Sequence, residues 1–179
     1  MSLERIVVVG KPGSGKSTLA KELARKLELA YVELDAIHWQ PNWAMLPKHE
    51  MRERLNETLV VDGHWVADGN YTRRAIDIVW GRANTLIWLD YPLRVALIRL
   101  LWRTILRLFW RQELWNGNKE TLWSHLSLDP DKNLFIWLFR LHWRHREEFP
   151  ALFRQPEYSH LKVLRFRTPT ETEQWLDGL

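Results

Sequence analysis

Eight consecutive residues, Gly10-Lys11-Pro12-Gly13-Ser14-Gly15-Lys16-Ser17, hold the densest chemistry of this 179-residue chain. They fill every fixed position of G-x-x-x-x-G-K-[ST], a pattern that cradles phosphate when it joins a strand to a helix. In that setting Gly10, Gly13 and Gly15 let the backbone curl. The N–H groups of the loop, through Ser14, Ser17 and Thr18, then converge on phosphate oxygens beside the positive end of a helix. Lys16 would reach the β- and γ-phosphates of a nucleotide, and the Ser17 hydroxyl would ligate the accompanying Mg²⁺. The setting is present. Ile6-Val7-Val8-Val9 precedes the loop as a β-branched run, and Leu19, Leu23 and Leu27 follow at helical spacing with Ala20 and Ala24.

Three aspartates close later apolar runs: Asp35 after Tyr31–Leu34, Asp68 after His64–Ala67 and Asp90 after Thr85–Leu89. With Leu161–Phe166 these runs make five expected strands. The intervening patterns predict helices over Pro47–Leu59, Leu93–Trp110 and Asn133–Glu148. Thr168-Pro169-Thr170-Glu171 is a capping box that starts a last short helix. Strands alternating with helices imply an α/β fold in three layers, a parallel sheet covered on both faces. Ligands of such sheets bind beyond the carboxyl ends of the strands, where the loop and the aspartates stand. Asp68 would face Ser17 across a Mg²⁺. Asp35, with His38 close behind, would meet an acceptor. Trp39 and Trp43, in a proline-broken segment, would line its pocket.

Composition narrows the class. The length is that of one domain, residues 1–179. There is no cysteine, so no disulfide or thiolate site, which suits the cytoplasm. No signal peptide is visible and no apolar run reaches membrane-spanning length. His125, His142 and His145 lack a completing carboxylate or cysteine and read as surface or core residues.

The net charge of +4 is concentrated in one segment. Leu93 to Arg154 holds eleven Lys/Arg against six Asp/Glu, and the remainder is nearly neutral. Within it Arg99, Arg103, Arg107 and Arg111 recur at i, i+4 on a helix otherwise apolar. A helix of that kind is expected to be largely buried, with its arginines turned to an anion such as a triphosphate. Two other partners fit a basic, tryptophan-rich helix: an anionic membrane surface and single-stranded nucleic acid. Most of the twelve tryptophans are expected in the core.

Beyond these readings, Asp68-Gly69 resembles the D-G step of adenylate kinases and related nucleoside monophosphate kinases. In that family two arginines, nine and thirteen residues past the fourth-strand aspartate, contact ATP at the base of a lid. The same count from Asp90 gives Arg99 and Arg103. The resemblance is closer to small bacterial adenylate-kinase-like proteins, many labelled DNA topology modulation proteins (FlaR-type). It rests on Leu34-Asp35-x-x-His38-Trp39, Asp68-Gly69-Asn70-Tyr71, Leu89-Asp90-Tyr91-Pro92 and Leu114-Trp115-Asn116-Gly117-Asn118. It implies a P-loop NTPase fold with a helical lid at about 99–148 and ATP-dependent phosphoryl transfer to a small molecule, a nucleoside or nucleotide among them. The alternative is a non-enzymatic ATP-binding switch or DNA-associated regulator. After the D-G step the family has phenylalanine, proline and an arginine that grips the acceptor phosphate. Here Asn70-Tyr71-Thr72-Arg73-Arg74 displaces the arginine, so Arg73 and Arg74 are the acceptor-side candidates and AMP is not specified as acceptor.

Overall fold

The computed structural model describes residues 3–110, 113–118 and 133–179. In chain order the elements are β1 (Arg5–Gly10), α1 (Lys16–Leu27), β2 (Ala30–Glu33), α2 (Leu34–His38), the short strands β3 (Trp39–Gln40) and β4 (Ala44–Met45), α3 (Lys48–Thr58), β5 (Trp65–Asp68), α4 (Thr72–Arg82), β6 (Thr85–Leu89), α5 (Leu93–Trp110), α6 (Leu134–Leu152), β7 (Lys162–Phe166) and α7 (Pro169–Asp177). The five long strands form one parallel sheet in the order β2-β5-β1-β6-β7, and β3 and β4 pair as an antiparallel hairpin.

Alternation along β1 builds the two faces. Val7 and Val9 point into a core shared with α3, α4 and α6, around Met51, Leu55, Trp80 and Phe149. Ile6 and Val8 point the other way, to Leu19, Ala20 and Leu23 of α1. All four are fully buried, as the central strand of a two-sided parallel sheet requires. Thr168 caps α7 by accepting from the Glu171 N–H, with Pro169 at the first helical position.

The helix α4 has no counterpart in the sequence expectations. Its eleven residues include Ile76, Ile78 and Val79, which are weak helix formers. Burial of Ala75, Ile78, Val79 and Trp80 against the sheet holds it instead.

Few of the described tryptophans are in the core, contrary to expectation. Trp65, Trp80 and Trp88 fill the core, the latter two edge-on to Phe149 at 5.5 and 5.3 Å. Trp102, Trp110 and Trp143 are exposed, contrary to the expectation that α5 is largely buried. Among the described side chains of α5, Ala96, Leu100 and Thr104 are the buried ones, the first two against Leu138 of α6. Among the described residues no helix is long and apolar enough to cross a membrane. Arg111 and His125 lie outside the described residues.

His142 and His145 are both buried. His145 stacks on Phe149 at 4.2 Å, and burial lowers its pKa from 6.5 to about 3. Between those values the unfolded chain binds this proton and the folded chain does not. The stability is therefore fully present above the unfolded value and is lost as pH falls. Replacing His145 with phenylalanine keeps the stack. It should flatten the acid side of the stability profile by up to roughly 1.4 kcal/mol per pH unit. Urea denaturation at pH 7 and pH 5 measures this, and equal slopes would refute it.

Candidate functional site

The phosphate loop leaves the end of β1 and is fixed by three contacts. Gly15, at φ 92°, caps the start of α1. Ser14 N–H donates to the Lys11 carbonyl at 3.1 Å. Gly13, at φ 77°, lies so close to α5 that a Cβ there would sit 2.2 Å from the Ala96 carbonyl oxygen. A glycine at this position therefore sets how closely α5 approaches the loop. The Asn70 side chain grips the root of the loop from β5. Its Nδ2 donates to the Gly10 carbonyl at 2.5 Å, and the Gly10 N–H donates to its Oδ1 at 3.0 Å.

Around the loop stand three charged groups from three elements. The register pairs Asp68 with Val8 of β1, which brings its carboxylate to the first turn of α1. Ser17 Oγ donates to Asp68 Oδ2 at 2.5 Å, and the Tyr31 hydroxyl donates to Oδ1 at 3.1 Å. Asp35, in the first turn of α2, accepts from the Tyr71 hydroxyl at 2.5 Å. Burial raises the pKa of both carboxyls, opposed at Asp68 by Ser17 and at Asp35 by Tyr71, with Lys16 opposing at each. Burial lowers the Lys16 pKa, and Asp35 and Asp68 oppose that shift. The lysine is within the fields of both carboxylates, and its Nζ donates to the Lys11 carbonyl at 3.4 Å. Ser17 and Asp68 are adjacent hard oxygen donors, a fit for Mg²⁺ that takes its other ligands from phosphate and water. Thr18 is exposed on α1.

Arg99 and Arg103 stand on the loop side of α5. An Arg99 guanidinium nitrogen would lie 3.4 Å from a Cβ placed on Gly15, and its plane covers the Tyr91 ring at 5.8 Å. The charge of Arg103 acts on both Lys16 and Asp35. Lys11, only 3% exposed, donates to the Tyr91 carbonyl at 2.5 Å, shares a hydrogen bond with His142 Nδ1 at 2.7 Å and lies 3.8 Å from Asp90. Asp90 also accepts from Arg146 at 3.1 Å and Arg165 at 2.6 Å. This aspartate joins β6, α6, β7 and the loop. Asp90, Pro92, Arg146, Arg165 and Arg167 line a cavity beside it.

On the far side of Asp35, His38 is buried and its pKa falls to about 4, through burial and then the Arg74 charge. Its ring packs on Trp39 and Tyr71. Arg74 donates through Nη2 to the Leu46 carbonyl at 2.5 Å, so it also braces the β3–β4 hairpin. The Arg73 side chain is outside the described residues. Trp39, Trp43 and Trp115 meet edge to face. Asn116 Nδ2 donates to the Trp39 carbonyl at 2.5 Å. Asn118 donates to the Gln40 carbonyl at 2.9 Å and accepts from the Trp43 N–H at 2.8 Å. Residues 113–118 are thereby stapled to the hairpin.

Asn70, Tyr31, Tyr71, Lys11 and the two stapling asparagines are absent from the candidates read from sequence. Asn70 and Tyr71 follow the D-G step directly, and Asn116-Gly117-Asn118 is a turn-former cluster, so position was the available signal.

A P-loop between β1 and α1, with the sheet order β2-β5-β1-β6-β7, defines a P-loop NTPase-like α/β protein. The chain belongs to the family described as AAA domain, whose family profile matches residues 6–105. Three solved structures share the fold at 16% identity. A shikimate kinase from Bacteroides thetaiotaomicron has a TM-score of 0.55, covering 99% of this chain and 96% of that one. A shikimate kinase from Acinetobacter baumannii in complex with shikimate has a TM-score of 0.57, covering 98% and 92%. A gluconokinase from Sinorhizobium meliloti has a TM-score of 0.52, covering 98% and 91%. Comparison with curated proteins finds no match.

Proposed function

We propose that this protein transfers the terminal phosphoryl group of ATP to a hydroxyl of a small-molecule acceptor. The observation that carries the reading is Asp35. It is a half-buried carboxylate, apart from the Ser17–Asp68 pair, held by the Tyr71 hydroxyl and within the field of Lys16. A nucleotide switch has no use for such a group, whereas an acceptor hydroxyl needs a base. The structural neighbours named for shikimate and gluconate support a small acceptor in the same fold. The motif likeness to the small adenylate-kinase-like proteins supports the donor half and specifies no acceptor.

Gly10, Gly13, Ser14, Gly15, Lys16, Ser17 and Thr18 hold the donor phosphates, and Ser17 with Asp68 holds Mg²⁺, which supplies charge neutralisation. Asp35 takes the proton of the acceptor hydroxyl as its oxygen bonds to the γ-phosphorus. The bond from that phosphorus to the bridging oxygen breaks, and ADP leaves. Arg99 and Arg103 neutralise charge on the transferring group. His38, Trp39, Arg73 and Arg74 wall the acceptor, and residues of about 99–148 act as a helical lid within one domain of 1–179.

Asp35→Asn preserves shape and removes the base. Acceptor-dependent ADP release should fall by roughly 10²- to 10⁴-fold, with Mg-ATP affinity within a few-fold of wild type. In the wild type, kcat/KM should rise with pH as the Asp35 carboxyl, raised by burial, loses its proton, and the variant should lose that limb. The acceptor for this assay comes from a thermal-shift screen of nucleosides, nucleotides and hydroxylated metabolites. Wild-type protein that binds Mg-ATP but releases ADP with none of them would favour the switch or DNA-associated regulator. Asp68→Asn should retain nucleotide binding and lose turnover most severely at limiting Mg²⁺. Turnover unchanged there would remove Asp68 from the mechanism.

A further inference from the structure

The α5–α6 pair carries its larger apolar face outward. Ile98, Leu101, Trp102, Ile105, Leu106 and Phe109 recur at i, i+3, i+4, i+7, i+8 and i+11 along α5, and all are exposed. Phe109 is 79% exposed and Trp102 63%, and Trp110 extends the stripe at 73%. On α6, Phe139 and Trp143 are exposed as well. The inward side of α5 is narrow by comparison, with Ala96 and Leu100 against Leu138. An apolar stripe of this length on the solvent side of a helix marks a surface that something covers.

The charge of the same face restricts what that is. On α5 the face carries the exposed Arg94; Arg99 and Arg103 are on the loop side, and the helix has no acidic residue. Arg94 lies one turn before Ile98, and Arg140 lies between Phe139 and Trp143, both exposed. The acidic residues of α6 are Glu147 and Glu148 near its end, the latter paired with Arg144 at 2.9 Å. A second copy docked through this face would set arginine against arginine, since a two-fold interface pairs a patch with itself. Nucleic acid would use the arginines and indoles, but it offers nothing to the aliphatic Ile98, Leu101, Ile105 and Leu106. Anionic lipid uses all three: phosphate groups for arginine, the interfacial zone for indole, and acyl chain for aliphatic residues.

We propose that the α5–α6 face docks on an anionic lipid surface, with the helices lying in the headgroup plane rather than crossing it. The face is the solvent side of the proposed lid segment, away from the groups assigned to phosphoryl transfer. Arg99 and Arg103, on the loop side of α5, are not part of it.

Sedimentation of the full chain with phosphatidylcholine vesicles, with and without phosphatidylserine, tests the proposal. The wild type should pellet with phosphatidylserine vesicles, with a blue shift of tryptophan emission, and should stay in solution with phosphatidylcholine alone. Two variants separate the contributions. Trp102→Ser with Phe109→Ser and Trp110→Ser should abolish binding. Arg94→Gln with Arg140→Gln should weaken it roughly 30-fold, equivalent to about 2 kcal/mol at ~1 kcal/mol per arginine. Wild-type melting temperature and Mg-ATP affinity in both variants would show that the fold and the nucleotide site are intact. No pelleting with phosphatidylserine, equal pelleting on both vesicles, or tighter binding to a single-stranded oligonucleotide at the same salt overturns the proposal. A wild-type dimer that the serine variant dissolves, with no vesicle binding by either, overturns it in favour of a second copy.

Discussion

Lys16→Ala is expected to abolish measurable Mg-ATP binding. The half-buried ammonium lies within the fields of Asp35 and Asp68, and removing one member of such a charge set costs roughly 2–5 kcal/mol. At about 1.4 kcal/mol per decade that is on the order of 30- to 3,000-fold in affinity. A second effect adds to the first. Without the lysine, the negative charge of Asp35 and Asp68 is left without its compensating cation and opposes an incoming triphosphate. Isothermal calorimetry on wild type and variant measures the loss, with a melting curve to show that the fold persists. Equal affinity in the two proteins would mean that the loop is not the nucleotide site.

The double variant Arg99→Ala, Arg103→Ala should lose on the order of 10³- to 10⁵-fold in acceptor-dependent turnover, the effect of removing an arginine that neutralises a transferring phosphoryl group. Nucleotide affinity should change far less, because Lys16 and the loop N–H groups remain. The expectation rests on position: Arg99 reaches to Gly15, and Arg103 acts on Lys16 and Asp35 together. Acceptor-dependent ADP release and vesicle sedimentation on the same protein separate the two sides of α5. Turnover near wild type in this variant would remove both arginines from the transferring group.

The sheet was legible from sequence because a central parallel strand is apolar on both faces. Ile6–Val9 and Thr85–Leu89 show this without interruption, and the aspartates mark where those runs meet ligand space. The ends of α5 were legible from Pro92 and the turn formers past Trp110. Its burial was not. The arginine stripe and the apolar residues beside it predict an amphipathic helix but not which side faces inward. That is decided by the partner, and among the described residues the buried core of the contact is Ala96 and Leu100 against Leu138. The Asn70 grip on Gly10 was hidden for a different reason. It joins residues sixty apart whose meeting depends on β5 lying beside β1, and an asparagine after a D-G step reads locally as part of a turn. The phenols of Tyr31 and Tyr71 were masked by their apolar rings, which suit a strand or a helix start regardless of where the hydroxyl goes.

Gly13 seats the start of α5 on the phosphate loop, and the Asn116 and Asn118 amides fasten the stretch after α5 to the acceptor-side hairpin. One stretch of chain therefore touches the walls of both substrates. Under the proposed reaction, a shift of that stretch on binding one substrate would be felt at the wall of the other. Thermodynamic linkage makes the effect mutual: the factor by which nucleotide tightens acceptor equals the factor by which acceptor tightens nucleotide.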